Sequence, residues 1–193
     1  MYSVTKLHEG ESSICYYQTI PKKLKVTTDK FETLWKLHPS EYSILKIYGK
    51  DVKTPRYIQN YGYDYQFSGV KHKSIPTPEI LQVFIDWINQ QEPSYNYNGM
   101  LVNWYENGNH YIGAHSDDEK ELVKNAPIYC FSFGEERDFV VTSKETNEKK
   151  KYKLQNNSLL MMCGDCQTYY KHSIPKSKKL LGQRISITVR AFK

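Results

Sequence analysis

A chain of 193 residues with 39% hydrophobic and 14% aromatic residues is long enough for one packed domain and too apolar to be disordered. Its net charge of +6 and pI near 8.9 favour an anionic partner, but the excess is too small to identify a nucleic acid alone. No stretch approaches the roughly 20 apolar residues that span a bilayer, and no apolar run follows MYSVTKLHEGESS, so a soluble, intracellular protein with no membrane partner is expected, by default a monomer.

Cys15, Cys130, Cys163 and Cys166 then read as reduced thiols. Cys163-Gly-Asp-Cys166 has CxxC spacing, but a structural zinc needs two more ligands and no second such pair follows.

In chain order, residues 1–42 are lysine-rich and irregular, and are expected to pack on the core as an extension of the same single domain. One short helix is expected there from Lys30 to Leu37, where Phe31, Leu34 and Trp35 share a face. The clearest helix starts at Thr77-Pro78, with threonine as N-cap and proline at the first helical position, and runs to about Gln91. Ile80, Phe84, Trp87 and Ile88 form its apolar stripe. From Tyr95 the pattern turns to short strands: Gly99 to Tyr105, Ile128 to Phe133, Asp138 to Thr142, Leu159 to Met162 and Arg184 to Phe192. Such strands, separated by Gly, Asn and Pro, predict a sandwich or jelly roll. The charged segment 143–153, SKETNEKKKYK, lacks periodicity and reads as a loop.

HYIGAHSDDEKEL, residues 110–122, gathers histidines and carboxylates around a short apolar run. It is either a solvated acidic turn or half of a metal site. In an extended segment, residues two apart point the same way, which lets His115 and Asp117 approach one ion. His172 in YYKHSIP, 55 residues after Asp117, could come from a separate strand as a third ligand. A facial His, Asp, His set leaves adjacent positions open on Fe(II).

In the segment Arg184-Ile-Ser-Ile-Thr-Val-Arg190, Ile185, Ile187 and Val189 take one face, and Arg184, Ser186, Thr188 and Arg190 the other. The arginine Cα atoms lie about 20 Å apart at roughly 3.3 Å per residue, so long side chains leaning together could hold a small dicarboxylate. The alternative is an amphipathic edge strand with solvated arginines.

NWYENGNHYIGAHSDDE, IYCFSFGEERDF, LLMMCGDCQTYYKHSIP and RISITVR together resemble the consecutive core motifs of the AlkB family of 2-oxoglutarate and Fe(II)-dependent dioxygenases. Upstream, IYGKDVKTPRYIQNYGYDYQFSG is similar to the nucleotide-recognition segment of the subgroup that repairs alkylated bases in duplex DNA. The resemblance covers residues 43–192 and implies a mainly β double-stranded β-helix (jelly roll) with flanking helices. It also implies a nucleotide-recognition segment over 43–76 and a helix with the catalytic core over 77–193.

Carried over by position, the resemblance makes His115, Asp117 and His172 the Fe(II) ligands. Asn103, Tyr105, Arg184, Ser186, Thr188 and Arg190 fall where 2-oxoglutarate is held, with Arg190 also counted as catalytic. Tyr65, Gln66, Phe67 and Ser68 would enclose a flipped base, and Asp118 and Glu119 would face its polar edge. Tyr48, followed by Gly49, stands where the subgroup carries an aromatic wedge, and Lys50 and Arg56 would meet phosphates. Two departures are Ser186, where many relatives carry asparagine, and Val189, which replaces a phenylalanine.

The implied activity consumes 2-oxoglutarate and O2 to demethylate N1-methyladenine and N3-methylcytosine in DNA, duplex included. The competing readings are an RNA demethylase, a protein hydroxylase with the same cofactors, and a silent DNA-binding module.

Overall fold

A strand apolar on one face and polar on the other needs two different surroundings, and the segment at 184–191 receives both. The computed structural model describes residues 2–8, 10–47, 50–67, 70–179 and 181–193. Its elements begin with β1 (Tyr2–Lys6), β2 (Ser13–Tyr17), α1 (Thr28–Trp35), β3 (Ile44–Ile47), β4 (Lys50–Lys53), β5 (Tyr57–Tyr61), β6 (Tyr65–Phe67) and β7 (Val70–His72). They continue with α2 (Glu79–Gln91), β8 (Tyr97–Tyr105), β9 (Ile112–His115), β10 (Ile128–Gly134) and β11 (Arg137–Ser143). The last are β12 (Lys149–Leu154), β13 (Ser158–Cys163), α3 (Cys166–Tyr169), β14 (Tyr170–Ile174) and β15 (Arg184–Ala191).

Seven strands form one sheet in the order β1-β2-β13-β10-β15-β8-β5, and four form a second in the order β12-β11-β14-β9. The pairings within both sheets are antiparallel. Two further hairpins, β3-β4 and β6-β7, stand apart from them. This is the mainly β jelly roll that the strand pattern predicts. No helix among the described residues is long and apolar enough to cross a membrane.

One apolar cluster packs the large sheet against the helices: Leu81, Phe84 and Ile88 of α2 and Leu34 of α1 meet Phe131, Phe133, Ile185, Ile187 and Val189. A second cluster lies between the sheets, where Ile14, Leu160 and Met162 oppose Phe139, Val141 and Ile174. Strand β15 is buried along its whole length. Its isoleucines and valine enter the first cluster, and its alternate residues line a cavity between the sheets.

Three expectations shift. Residues 1–42 are not irregular throughout, because β2 pairs with β13, Leu160 facing Tyr16, and adds the β1-β2 hairpin to the large sheet. The alternation in SICYY, with Ile14 and Tyr16 buried, is the signal for it. The 143–153 segment is half strand: β12 pairs Lys151 with Val140 and Lys153 with Asp138. Lys149, Lys151 and Lys153 face water on an edge strand, where lysine also blocks further pairing, while Leu154 is buried. Helix α1 begins two residues earlier than expected, and at α2 Pro78 rather than Thr77 is the N-cap, without a side-chain bond.

Because Ile187 is fully buried at the centre of the large sheet, between β10 and β8, its truncation leaves a cavity that neighbouring strands cannot collapse into. Ile187→Ala is expected to lower stability by about 2–5 kcal/mol in urea unfolding.

Candidate metal and cosubstrate site

Strand pairing assembles the metal site. Strands β9 and β14 pair with His115 directly opposite His172, which brings the two rings to a centroid distance of 4.3 Å. Strand β9 ends at His115, and the chain then places Asp117, 2% exposed, so that its Oδ1 lies 3.6 Å from Nε2 of His115 and 3.9 Å from Nε2 of His172. One ligand atom from each residue lies within 4.8 Å of the others, the group of this kind found among the described residues. His115 Nδ1 is 2.9 Å from the Gly113 carbonyl, and donating there leaves the Nε2 lone pair facing the Asp117 carboxylate. Phe139 stacks on His172 and limits its rotation.

The electrostatics suit a cation. Burial lowers His115 and pushes His172 down to about 3, so both rings are neutral near pH 7 and keep a lone pair for a metal. Burial works against ionising Asp117, but the Arg190 guanidinium beside it outweighs burial and holds the carboxyl below its ordinary range. Arg190 contacts Asp117 Oδ2 through NH2 at 2.8 Å and Nε at 3.1 Å. Oδ1 is thereby left toward the histidines. A third nitrogen of Arg190 reaches Glu119 Oε1 at 3.5 Å. Burial raises Glu119 against the pull of Arg190, and its Oε2 is buried without a hydrogen-bond partner.

The two arginines of β15 therefore do not close on one another as expected. Arg190 is engaged with Asp117 and Glu119, and Arg184 faces the other end of the cavity. Arg184 is fully buried, donates through NH2 to Ser132 Oγ at 2.9 Å, and lies 5.0 Å over the Tyr105 ring. Its Nε and NH1 have no partner. Arg137 lies over the same ring at 5.6 Å, yet donates to the carbonyls of His110 and Pro175, both at 2.8 Å. A buried guanidinium with unbonded N–H groups requires an anion, and a carboxylate supplies two acceptor oxygens in the right plane. The donor set at one end of the cavity fits Fe(II), and the orphaned cation at the other fits a carboxylate of 2-oxoglutarate.

Between these ends, Asn103, Ser186 and Thr188 line the cavity wall. Ser186 Oγ and Thr188 Oγ1 lie 3.3 and 4.0 Å from Cys130 Sγ. Asn103 Oδ1 accepts a 2.6 Å bond from Arg56 Nε. That bond corrects the placement of Arg56, which is 5% exposed and turned into the fold rather than toward phosphates. Pro55 precedes it, and the strand register that sets Tyr57 opposite Trp104 carries the side chain inward. Lys50 is exposed on β4, and Asp118 is exposed beside the buried Asp117. Tyr48, Gly49 and Ser68, and the side chains of Tyr65, Gln66 and Phe67, lie outside the described residues.

The sequence reading missed Ser132, Cys130 and Gln167. In Ile128-Tyr-Cys-Phe-Ser-Phe133 the small residues alternate with aromatic ones, and that period of two is the signal for a cavity-facing pair. Gln167, whose Oε1 accepts from the Asp117 N–H at 2.9 Å, carries no such signal.

Replacing His115, Asp117 or His172 by alanine is expected to abolish both Co(II) binding and succinate formation, measured by visible absorption and by turnover. Arg184→Lys keeps the charge but loses the fork, so the apparent requirement for 2-oxoglutarate should rise by about tenfold, the scale of one charge-assisted bond, with metal affinity unchanged.

Comparison with known proteins places this geometry. A family model described as the 2OG-Fe(II) oxygenase superfamily matches residues 15–190. The chain is 34% identical over 157 residues to the human DNA oxidative demethylase ALKBH2, covering 76% of this chain and 60% of that protein. It is 30% identical over 189 residues to the Arabidopsis thaliana protein of the same name, covering 83% and 60%. It is also 32% identical over 148 residues to the Bos taurus alpha-ketoglutarate-dependent dioxygenase alkB homolog 3, covering 70% and 51%. The chain thus spans between half and two thirds of the length of these relatives. Among solved structures, that of OsALKBH1 superposes with a TM-score of 0.59 at 18% identity, covering 98% of this chain and all of that one, a likeness of fold. The chain belongs to the 2OG-Fe(II) oxygenase superfamily, which uses Fe(II), 2-oxoglutarate and O2, and within it to the AlkB family.

Proposed function

We propose that the protein removes methyl groups from alkylated nucleobases in DNA, with N1-methyladenine and N3-methylcytosine as substrates. The observation that carries this reading is the similarity, at 30–34% identity, to proteins named DNA oxidative demethylase in cattle, human, mouse and Arabidopsis. Held by His115, Asp117 and His172, Fe(II) with 2-oxoglutarate and O2 would supply oxidation of an N-methyl group, which leaves as formaldehyde and restores the base.

The residues of this chain have separable parts in that reaction. Arg184 binds one carboxylate of the cosubstrate, Ser132 fixes its guanidinium, and the Tyr105 ring beneath it limits its rotation. Arg190 keeps Asp117 ionised and aimed at the histidines. Glu119, in contact with Arg190, keeps a buried oxygen without a hydrogen-bond partner, to which the amino group of a flipped base could donate. Both lesions carry positive charge, which exposed Asp118 and buried Glu119 offset. Aromatic faces at Tyr65 and Phe67, with Gln66 and Ser68, would enclose the extruded base.

The test is formaldehyde release from matched methylated oligonucleotides, DNA and RNA, single and double stranded. Release from methylated RNA with none from DNA would replace the substrate assignment. Succinate formation without release from any of them would point to another acceptor, such as a protein side chain. Absence of both would leave a binding module.

An extruded base leaves a gap in the stack that a ring at position 48 could fill, and single strands have no such gap. Tyr48→Ala should therefore depress demethylation of duplex DNA by about tenfold more than of single strands, on the scale of part of an unstacking cost of a few kcal/mol. Equal loss on both substrates would remove the wedge role, as would no loss on either.

A further inference from the structure

The main chain at Asp117 presents a problem of its own. Strand β9 ends at His115, so the Asp117 N–H has no partner in the sheet ladder although the residue is 2% exposed. A buried N–H left unbonded is costly, and it would be left so beside the carboxylate that faces both histidines. The side chain of Gln167 resolves this, its Oε1 accepting the bond at 2.9 Å. Its Nε2 lies 3.4 Å from Met162 Sδ, which fixes the orientation of the amide. One residue earlier, Ser116 Oγ donates to the Tyr170 carbonyl at 2.7 Å. Residues 116 and 117 are thus tied at two points to the segment running from α3 into β14.

The tie has support behind it. Gln167 lies in the single turn of α3, whose approach is held against the β1-β2 hairpin. The Glu11 N–H donates to Asp165 Oδ2 at 3.1 Å, and Cys166 Sγ donates to the Ser13 carbonyl at 3.3 Å. On the other side, Lys144 Nζ donates to the Gln167 carbonyl at 2.9 Å. A side chain anchored at both ends of its own backbone can act as a fixed acceptor.

We propose that Gln167 is a positioning residue for the metal site, fixing the main chain of Asp117 and so setting the affinity for a divalent cation. The proposal rests on Asp117 being a metal ligand. Loss of the acceptor would free the Asp117 peptide to rotate toward another partner, moving Oδ1 from its place facing both Nε2 atoms. Groups that hold a ligand from behind change metal affinity by about 10–100-fold when removed.

The test is titration of the metal-free full chain with Co(II), followed by visible absorption, together with thermal melts of the same metal-free samples. Gln167→Ala and the similarly sized Gln167→Met both lack the acceptor and should weaken Co(II) binding by about 10–100-fold. Gln167→Glu keeps an acceptor oxygen at that position and should bind Co(II) more tightly than the alanine and methionine variants. Co(II) affinity unchanged in the methionine variant would overturn the proposal. So would melting temperatures that fall alike in all three variants while affinity holds, since that is the signature of a purely structural glutamine. The Asp117→Ala titration separates the two ideas: if Co(II) still binds there, the ligand assignment itself fails, whatever the glutamine variants do.

Discussion

The contact between Arg190 and Asp117 organises the site. A buried carboxylate facing two imidazoles could protonate, turn away or pair with something else. The guanidinium prevents all three by occupying Oδ2 and leaving Oδ1 for the histidine side. Breaking a buried pair of this kind by removing one partner costs about 3–5 kcal/mol, because the other charge is left uncompensated. That pairing holds Asp117 where its Oδ1 faces both histidine Nε2 atoms. It also explains why the second arginine of the strand is left for a different task. With Arg190 engaged by two carboxylates, the unmet positive charge sits with Arg184, at the far end of the cavity.

Strand β15 can serve both arginines because its neighbours differ on its two faces. Ile185, Ile187 and Val189 are held by aromatic residues of β10 and by α2, which fixes the strand along its length. The polar face is then presented at set intervals to the space between the sheets. Packing on the helix side is in this sense the source of precision on the chemical side. The same logic applies at β10, where Phe131 and Phe133 face the helices while Cys130 and Ser132 face the cavity.

Much of this was legible in the sequence, and the limits are physical. The strands from Gly99 onward read clearly because alternation survives when one face is apolar and the other polar. His115 and Asp117, two residues apart, and the later His172 were candidates by spacing, and the resemblance to the AlkB motifs is what singled them out. The partner of Arg190 could not, since side-chain pairing across 73 residues leaves no local trace. Arg56 was expected to meet phosphates, yet its hydrogen bond to Asn103, 47 residues away, draws it inside. Strand β12 escaped because lysines on the water face of an edge strand imitate a loop, with only Tyr152 and Leu154 to mark the other side. The β1-β2 hairpin escaped because its partner β13 lies more than 140 residues later.

That last pairing bears on how the molecule is made. Strand β2 waits for β13, and β15 enters between β10 and β8 only after every other strand of the large sheet has been laid down. Pairings of such high contact order are slow, because long loops must close before any contact rewards them. Until β15 pairs, β8 and β10 lack the neighbour between them, and unpaired edges of this kind favour association with other chains. Both arginines of the cavity arrive on that final strand, which means that neither Asp117 nor the anion pocket has its counter-charge until the sheet is closed. Occupancy of the site by metal and cosubstrate is thereby tied to completion of the fold.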